Sequence, residues 1–270
     1  MVHPTLRTNL RRRRLTLGAF AGVLLASVWL ASTPVHAQAD LPATIARIKP
    51  SIVAVGSFER LRSPQFSFAG TGFAIGDGTL IATNEHVVSK IGVGEGNEVL
   101  AIAVRTGDGV QIRKVRKLAS DTAADLALLK VDGAIIPALV LGNSANVREG
   151  ETYMLTGFPI GAVLGLYPVT HRAMIAAVTP IAIPAARADK LDARMVRRLS
   201  AGAYTVFQLD GTAYPGNSGS PVYHAESGLV VGVVNSVFVK GTKESALTQP
   251  SGITYAIPAQ KLKELLDRAN

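Results

Sequence analysis

The chain has 270 residues, 48% of them apolar and 17% charged, a balance that excludes a disordered polyelectrolyte and supplies enough apolar side chains for one large β domain or two small ones. The formal net charge is +9, but the first 37 residues carry five arginines and no acid, so the remainder holds only +4. That mild excess demands no polyanion, and no nucleic acid partner is expected. The absence of cysteine rules out a disulfide framework, a lipoprotein anchor and a thiolate nucleophile.

The start of the chain reads as a secretory leader. Arg7 and Arg11-Arg12-Arg13-Arg14 form a basic head, 15–30 an apolar run, and Val35-His36-Ala37 a small-residue cleavage signal. The run is interrupted by Gly18, Gly22 and Ser27, and is short for a span of about 20 residues. Cleavage after Ala37 is expected, releasing 38–270 with no stable membrane span into a periplasmic or extracellular bacterial compartment. The arginines before Leu15-Thr16 also fit a loose twin-arginine signal, so the export route stays open.

After the leader, Leu41, Ile45 and Ile48 recur at helical spacing in a short segment ended by Pro50. Strands are then expected over 51–57, 70–75, 79–83, 99–105, 110–118, 126–131, 152–156, 168–178, 204–209, 229–239 and 252–256, each rich in Val, Ile, Thr or Leu. Turn signals such as Gly76-Asp77-Gly78 and Gly107-Asp108-Gly109 separate them. Many short strands with close turns mean a sandwich or closed barrels, since closure removes sheet edges. Between 183 and 200 the pattern turns helical, with Leu191, Met195 and Leu199 on one side and Lys190, Arg194, Arg197 and Arg198 on the other. It reads as a solvated face on an inserted segment, or as a basic patch or lid. A closing helix follows Pro258, with Leu262, Leu265 and Leu266 on one face.

The most informative stretch is Asp210-Gly211-Thr212-Ala213-Tyr214-Pro215-Gly216-Asn217-Ser218-Gly219-Ser220-Pro221. Taken alone it is a turn rich in Gly, Ser and Pro. Glycines on both sides of Ser218 also let the backbone bend sharply, present the hydroxyl, and aim the N–H groups of Gly216 and Ser218 at one point. Three histidines remain past the leader: His86, His171 and His224. His86 follows a strand directly, where an imidazole can be held rigidly. Asp125 enters the apolar run Leu126-Ala127-Leu128-Leu129, so it either caps the preceding turn or orients an imidazole.

The order His86, Asp125, Ser218 is that of the double-barrel acyl-transfer triad. An α/β-hydrolase elbow fails, because it needs glycine where the chain has Ser220, and βα alternation is absent. Neither a histidine pair at metal-ligand spacing nor any cysteine is present, so no metal and no cofactor is expected.

Four blocks in this order resemble the trypsin-like serine peptidases of the bacterial HtrA (Deg) type over most of 51–258. They are Gly70-Thr71-Gly72-Phe73-Ala74-Ile75, Thr83-Asn84-Glu85-His86-Val87-Val88, Asp125-Leu126-Ala127-Leu128-Leu129-Lys130, and Gln208-Leu209-Asp210 with Pro215-Gly216-Asn217-Ser218-Gly219. Gly157-Phe158-Pro159 and Gly252-Ile253-Thr254-Tyr255-Ala256-Ile257-Pro258 add weaker support. The resemblance implies an all-β fold of two perpendicular six-stranded β-barrels, about 51–140 and 141–257, with a closing C-terminal helix over 258–268. It implies His86 and Asp125 from the first barrel, Ser218 from the second, and an oxyanion hole of Gly216, Asn217 and Ser218.

The same resemblance places Thr212, the sixth residue before the nucleophile, at the base of the specificity pocket, with Ala213, Asn235, Ser236 and Val237 beside the substrate. Polypeptides in extended form are the expected substrates, and a monomer or small homo-oligomer the expected state. Glu85 stands where the family has a small residue, and Ser220 replaces a common glycine. The PDZ module that HtrA proteins carry after the peptidase domain is not expected here, nor a long regulatory loop within 58–68. Two other functions use the same residues: a catalytically idle barrel acting as a binding or chaperone-like module, and an esterase. With an uncharged Thr212 at the pocket base, a peptide-library digest is expected to show cuts after small or medium apolar residues; cuts dominated by Lys or Arg would overturn this.

Overall fold

The computed structural model describes residues 40–89, 91, 97–107, 109–161, 165–180, 204–212, 214–235 and 252–269. Twelve strands among them form two closed six-stranded barrels. The first contains β1 (Ile52–Phe58), β2 (Phe66–Ile75), β3 (Leu80–Thr83), β4 (Val99–Thr106), β5 (Gly109–Asp121) and β6 (Leu126–Val131), closed in the order β1-β2-β3-β6-β5-β4. The second contains β7 (Thr152–Gly157), β8 (Val169–Pro180), β9 (Thr205–Leu209), β10 (Pro221–His224), β11 (Val230–Asn235) and β12 (Thr254–Pro258), closed as β10-β11-β12-β9-β8-β7. Every pairing between these twelve strands is antiparallel, and closure leaves neither sheet an open edge among the described residues.

Strand alternation explains why so much of the chain is apolar. In β1, Val53 and Val55 join the core inside the first barrel, while Ile52 and Ala54 face a second layer shared with the other barrel. In β6, Ala127, Leu129 and Val131 point inward, and Leu126 and Leu128 join the shared layer. The second barrel repeats the division: Tyr153 and Leu155 of β7 fill its interior, and Met154 lies in the shared layer with Phe158, Tyr223 and Val233. A strand buried on both faces cannot show the polar/apolar alternation of a half-exposed one, and it reads as a continuous apolar run.

Three short helices complete the described residues: α1 (Leu41–Ile48), α2 (Glu85–Val88) and α3 (Ala259–Ala269). Asp40 caps α1 by accepting from the Ala43 N–H at 3.1 Å, and Pro50 falls in a 3-10 turn, Lys49–Ser51, that leads into β1. Arg47 of α1 donates to the Ser227 carbonyl between β10 and β11 at 3.0 Å, so the segment entering the first barrel is tied to the second. Helix α3 leaves β12 of the second barrel and packs on β5 and β6 of the first, burying Ala259, Leu262 and Leu265. Its last turn is held by Arg268, whose Nη2 meets Asp121 Oδ2 at 2.6 Å. No helix among the described residues is long and apolar enough to cross a membrane.

Each strand expected from the sequence has its counterpart, with ends moved by a few residues. The addition is β10, four residues that begin with Pro221 straight after the serine loop and are too short to show a period. The leader, the helical segment within 183–200 and the end of the run at 236–239 lie outside the described residues.

Burial pushes the Asp121 carboxyl up, but hydrogen bonds from the Ala124 N–H and Arg268 outweigh it and hold the pKa below the usual range. A lowered folded pKa contributes stability that is fully present above the unfolded value of about 3.9 and is lost as pH falls below that value and through the folded pKa. Arg268→Ala is therefore expected to cost about 0.2–1 kcal/mol in urea unfolding at neutral pH, and the difference from wild type to shrink once Asp121 is protonated. Leu262→Ala, which empties a fully buried site, is expected to cost about 2–5 kcal/mol at either pH.

Candidate active site

The site forms where turns of the two barrels meet. Strand β3 runs into Asn84 and then into the single turn of α2, which makes His86 its second residue. Across the barrel, β5 turns into β6 through 121–125. The cap of that turn is Asp121, whose Oδ1 accepts from the Ala124 N–H at 2.9 Å. Asp125, freed from capping, takes a left-handed conformation at φ 56°. Aspartate tolerates this better than most residues with a Cβ.

The result is a fully buried carboxylate facing His86. Asp125 Oδ2 lies 2.7 Å from His86 Nδ1, and Oδ1 accepts from the main-chain N–H of His86 at 2.9 Å. Oδ2 also accepts from Asn235 Nδ2 at 2.8 Å, from the end of β11 in the other barrel. The Asp125 carbonyl takes Asn84 Nδ2 at 3.0 Å and the Glu85 N–H at 3.2 Å. A carboxylate partner makes Nδ1 the protonated nitrogen of the neutral ring and leaves the Nε2 lone pair free to act as a base.

Ser218 sits in a loop with little freedom. Asn217 N–H bonds the Tyr214 carbonyl and Ser220 N–H the Asn217 carbonyl, each at 3.0 Å, giving two successive tight turns. Gly219 N–H bonds the Val234 carbonyl at 2.9 Å, and Val234 N–H bonds the Ser220 carbonyl at 2.8 Å, so the loop lies along β11 next to Asn235. Gly216 and Gly219 have φ of 104° and 88°, and a Cβ would meet the Phe158 carbonyl oxygen at 2.3 Å or the Thr71 carbonyl oxygen at 2.0 Å. Gly70 of β2 shows how near the two halves come: a Cβ there would touch Val87, the neighbour of His86, at 2.8 Å, and the Ser218 carbonyl oxygen at 3.1 Å.

Of the other sequence-derived positions, Asn217 and Ser220 are fully buried and Thr212 is half-buried. The segment leading to Thr212 is anchored by Asp210, whose Oδ1 accepts from the Met174 N–H at 2.6 Å, and by Thr254, whose hydroxyl donates to the Gly211 carbonyl. Ala213, Ser236 and Val237 lie outside the described residues. Glu85 is buried and lends its N–H to the Asp125 carbonyl. Asn235, expected as a wall of the substrate cleft, directs its amide to Asp125. The available signal was one polar residue closing the run Val230-Val231-Gly232-Val233-Val234. The His171 ring lies near that of Tyr214, centroids 6.5 Å apart and tilted by 40°, with burial holding its pKa down, and His224 Nδ1 accepts from the Glu226 N–H at 3.4 Å.

A model of the trypsin-like peptidase domain matches residues 70–233, and the chain belongs to that family. Its relatives are of the HtrA type. A probable periplasmic serine endoprotease, DegP-like, of Pseudomonas savastanoi is 31% identical over 204 residues, which is 75% of this chain and 34% of the relative. The putative serine protease HhoA of Synechocystis is 27% identical over 209 residues, 76% of this chain and 43% of the relative. Serine protease HTRA3 of Homo sapiens is 27% identical over 228 residues, 82% of this chain and 43% of the relative. The chain thus spans less than half the length of these curated relatives. Among solved structures, the HtrA-type protease AlgW with tripeptide has a TM-score of 0.60 at 23% identity, covering 84% of this chain and 62% of that one, a likeness of fold.

Truncating Asn235 removes a donor from a carboxylate with no access to water. Asn235→Ala is expected to lower stability by about 1.5–3 kcal/mol in urea unfolding, the range for hydrogen bonds to charged groups. A change below about 0.5 kcal/mol would show that the amide is not needed there.

Proposed function

We propose that the protein is an exported serine endopeptidase that cleaves polypeptides through a covalent acyl-enzyme. The observation that carries this reading is the 2.7 Å contact between His86 Nδ1 and the fully buried carboxylate of Asp125. An aspartate placed only for stability would have no use for an imidazole, since main-chain and Asn235 N–H groups already reach both of its oxygens. Fixing the tautomer and orientation of a histidine is what this arrangement achieves.

In the proposed reaction Ser218 attacks the peptide carbonyl while His86 Nε2 takes its proton. His86 then returns a proton to the leaving amine. Asp125 stabilises the imidazolium that forms between these steps. The N–H groups of Gly216 and Ser218, in the loop shaped by Asn217, receive the negative charge on the tetrahedral oxygen. Water repeats the sequence on the acyl-enzyme and frees Ser218.

The substrate is an extended segment whose main chain pairs with residues 234–237. In this reading Thr212 serves as the pocket base and Ala213, Ser236 and Val237 belong to the substrate-binding set, while Asn235 contributes main-chain groups and directs its side chain to Asp125. The leader over 1–37 directs export, in keeping with the periplasmic naming of the DegP-like relatives.

Labelling with a fluorophosphonate tests the reading directly. Wild type is expected to label, and Ser218→Ala and His86→Ala to fall to background, since removing either member of such a pair costs roughly a millionfold. A folded wild type that does not label would move the weight to an idle binding module. A labelled enzyme that hydrolyses esters but no peptide would leave an esterase.

A further inference from the structure

Thr71 belongs to β2 of the first barrel and is fully buried, yet most of its polar contacts are with the second. Its hydroxyl donates to the Gly216 carbonyl at 2.7 Å and accepts from the Phe158 N–H at 3.1 Å. Its main-chain N–H donates to the Ser218 carbonyl at 2.8 Å. On the other side, Thr83, at the end of the strand leading to His86, donates its hydroxyl to the Thr71 carbonyl at 2.7 Å. One residue therefore joins the histidine strand to the carbonyls on both sides of Asn217.

Gly216 needs such a restraint. Lacking a Cβ, it has torsions no side chain limits, yet its N–H must point in one direction to receive an oxyanion. The Thr71 hydroxyl acts on it from both sides. It holds the Gly216 carbonyl directly. It also anchors Phe158 at the head of a tight turn in which Gly161 N–H bonds the Phe158 carbonyl at 3.2 Å, and the Ile160 N–H of that turn bonds the Pro215 carbonyl at 2.8 Å. Because the peptide is planar, holding the Pro215 carbonyl sends the Gly216 N–H the opposite way.

We propose that the Thr71 hydroxyl is a positioning group for the oxyanion hole, reaching across the barrel seam to set the direction of the Gly216 N–H. The proposal rests on the reading of Gly216 and Ser218 as oxyanion donors. A misaimed donor weakens binding of the transition state while leaving ground-state binding of the substrate intact. The loss then falls on kcat and on tetrahedral adducts, not on KM.

The test uses the full protein with an apolar peptide anilide as substrate and a peptide aldehyde, whose adduct with Ser218 carries an oxyanion. Thr71→Val, which keeps the shape but leaves the buried Phe158 N–H without its acceptor, is expected to stay folded and to melt lower by roughly 2–10 °C. Its kcat should fall about 10- to 100-fold, with aldehyde affinity lowered by a similar factor and KM changed less than about twofold. Thr71→Ser restores the hydroxyl and is expected to stay within about threefold of wild type in kcat. If the valine variant does not fold, Thr71→Ala takes its place with the same readouts. A folded variant without the hydroxyl that keeps full kcat, a loss confined to KM, or a serine variant as slow as valine would overturn the proposal. A wild type inert to both fluorophosphonate and aldehyde would remove the peptidase reading itself, and this inference with it.

Discussion

Taking a carboxylate out of water costs several kcal/mol unless donors replace the lost hydration, and Asp125 meets that demand from both barrels. His86 supplies two donors from α2, Asn84 and Glu85 hold the carbonyl of the same residue, and Asn235 reaches it from β11. The requirement dictates more than a side-chain position. It needs Asp125 in a left-handed conformation, the turn cap moved to Asp121, and the second barrel seated closely enough for an amide to arrive at 2.8 Å. A disturbance at any of these points leaves a buried charge short of a partner, so the setting of the histidine and the packing of the seam are coupled.

The seam is apolar for most of its extent and polar only at the site. Alternating residues of β1, β2, β4 and β6 face Met154, Phe158, Tyr223 and Val233 of the other barrel, and α3 closes over the same layer with Leu262 and Leu265. Hydrophobic burial brings the barrels together without specifying direction. Direction comes from a few hydrogen bonds that cross the seam: Asn235 to Asp125, Thr71 to Gly216, Phe158 to Thr71, and Arg47 to Ser227. Most of these lie within reach of the serine loop, so the groups that orient the barrels are also the groups that shape the chemistry.

Much of the fold was legible because its signals are local. Short runs of Val, Ile and Leu between glycine-rich turns announced the strands, and the order of the histidine, aspartate and serine blocks announced the double barrel. What escaped was short or depended on distant partners. Strand β10 has four residues beginning with proline, too few for a period to show. Asp125 remained divided between capping a turn and orienting an imidazole, since both uses place an aspartate at the head of an apolar strand. Asn235 looked like part of a cleft wall, and Thr71 like one more β-branched residue in a strand.

The amino-acid order by itself determined the strand pattern and the glycines that let the serine loop bend, which follow from side-chain shape, period and spacing that a linear chain carries in full. His86, Asp125 and Ser218 were singled out by the resemblance of their blocks to the peptidase family. Only the tertiary structure decided that Asp121 caps the turn, that Asn235 serves Asp125, and that one hydroxyl of the first barrel holds the carbonyl of Gly216 in the second. Each joins or chooses between residues by hydrogen bonds whose length and direction exist only once two closed barrels are packed against each other, and no local propensity encodes them.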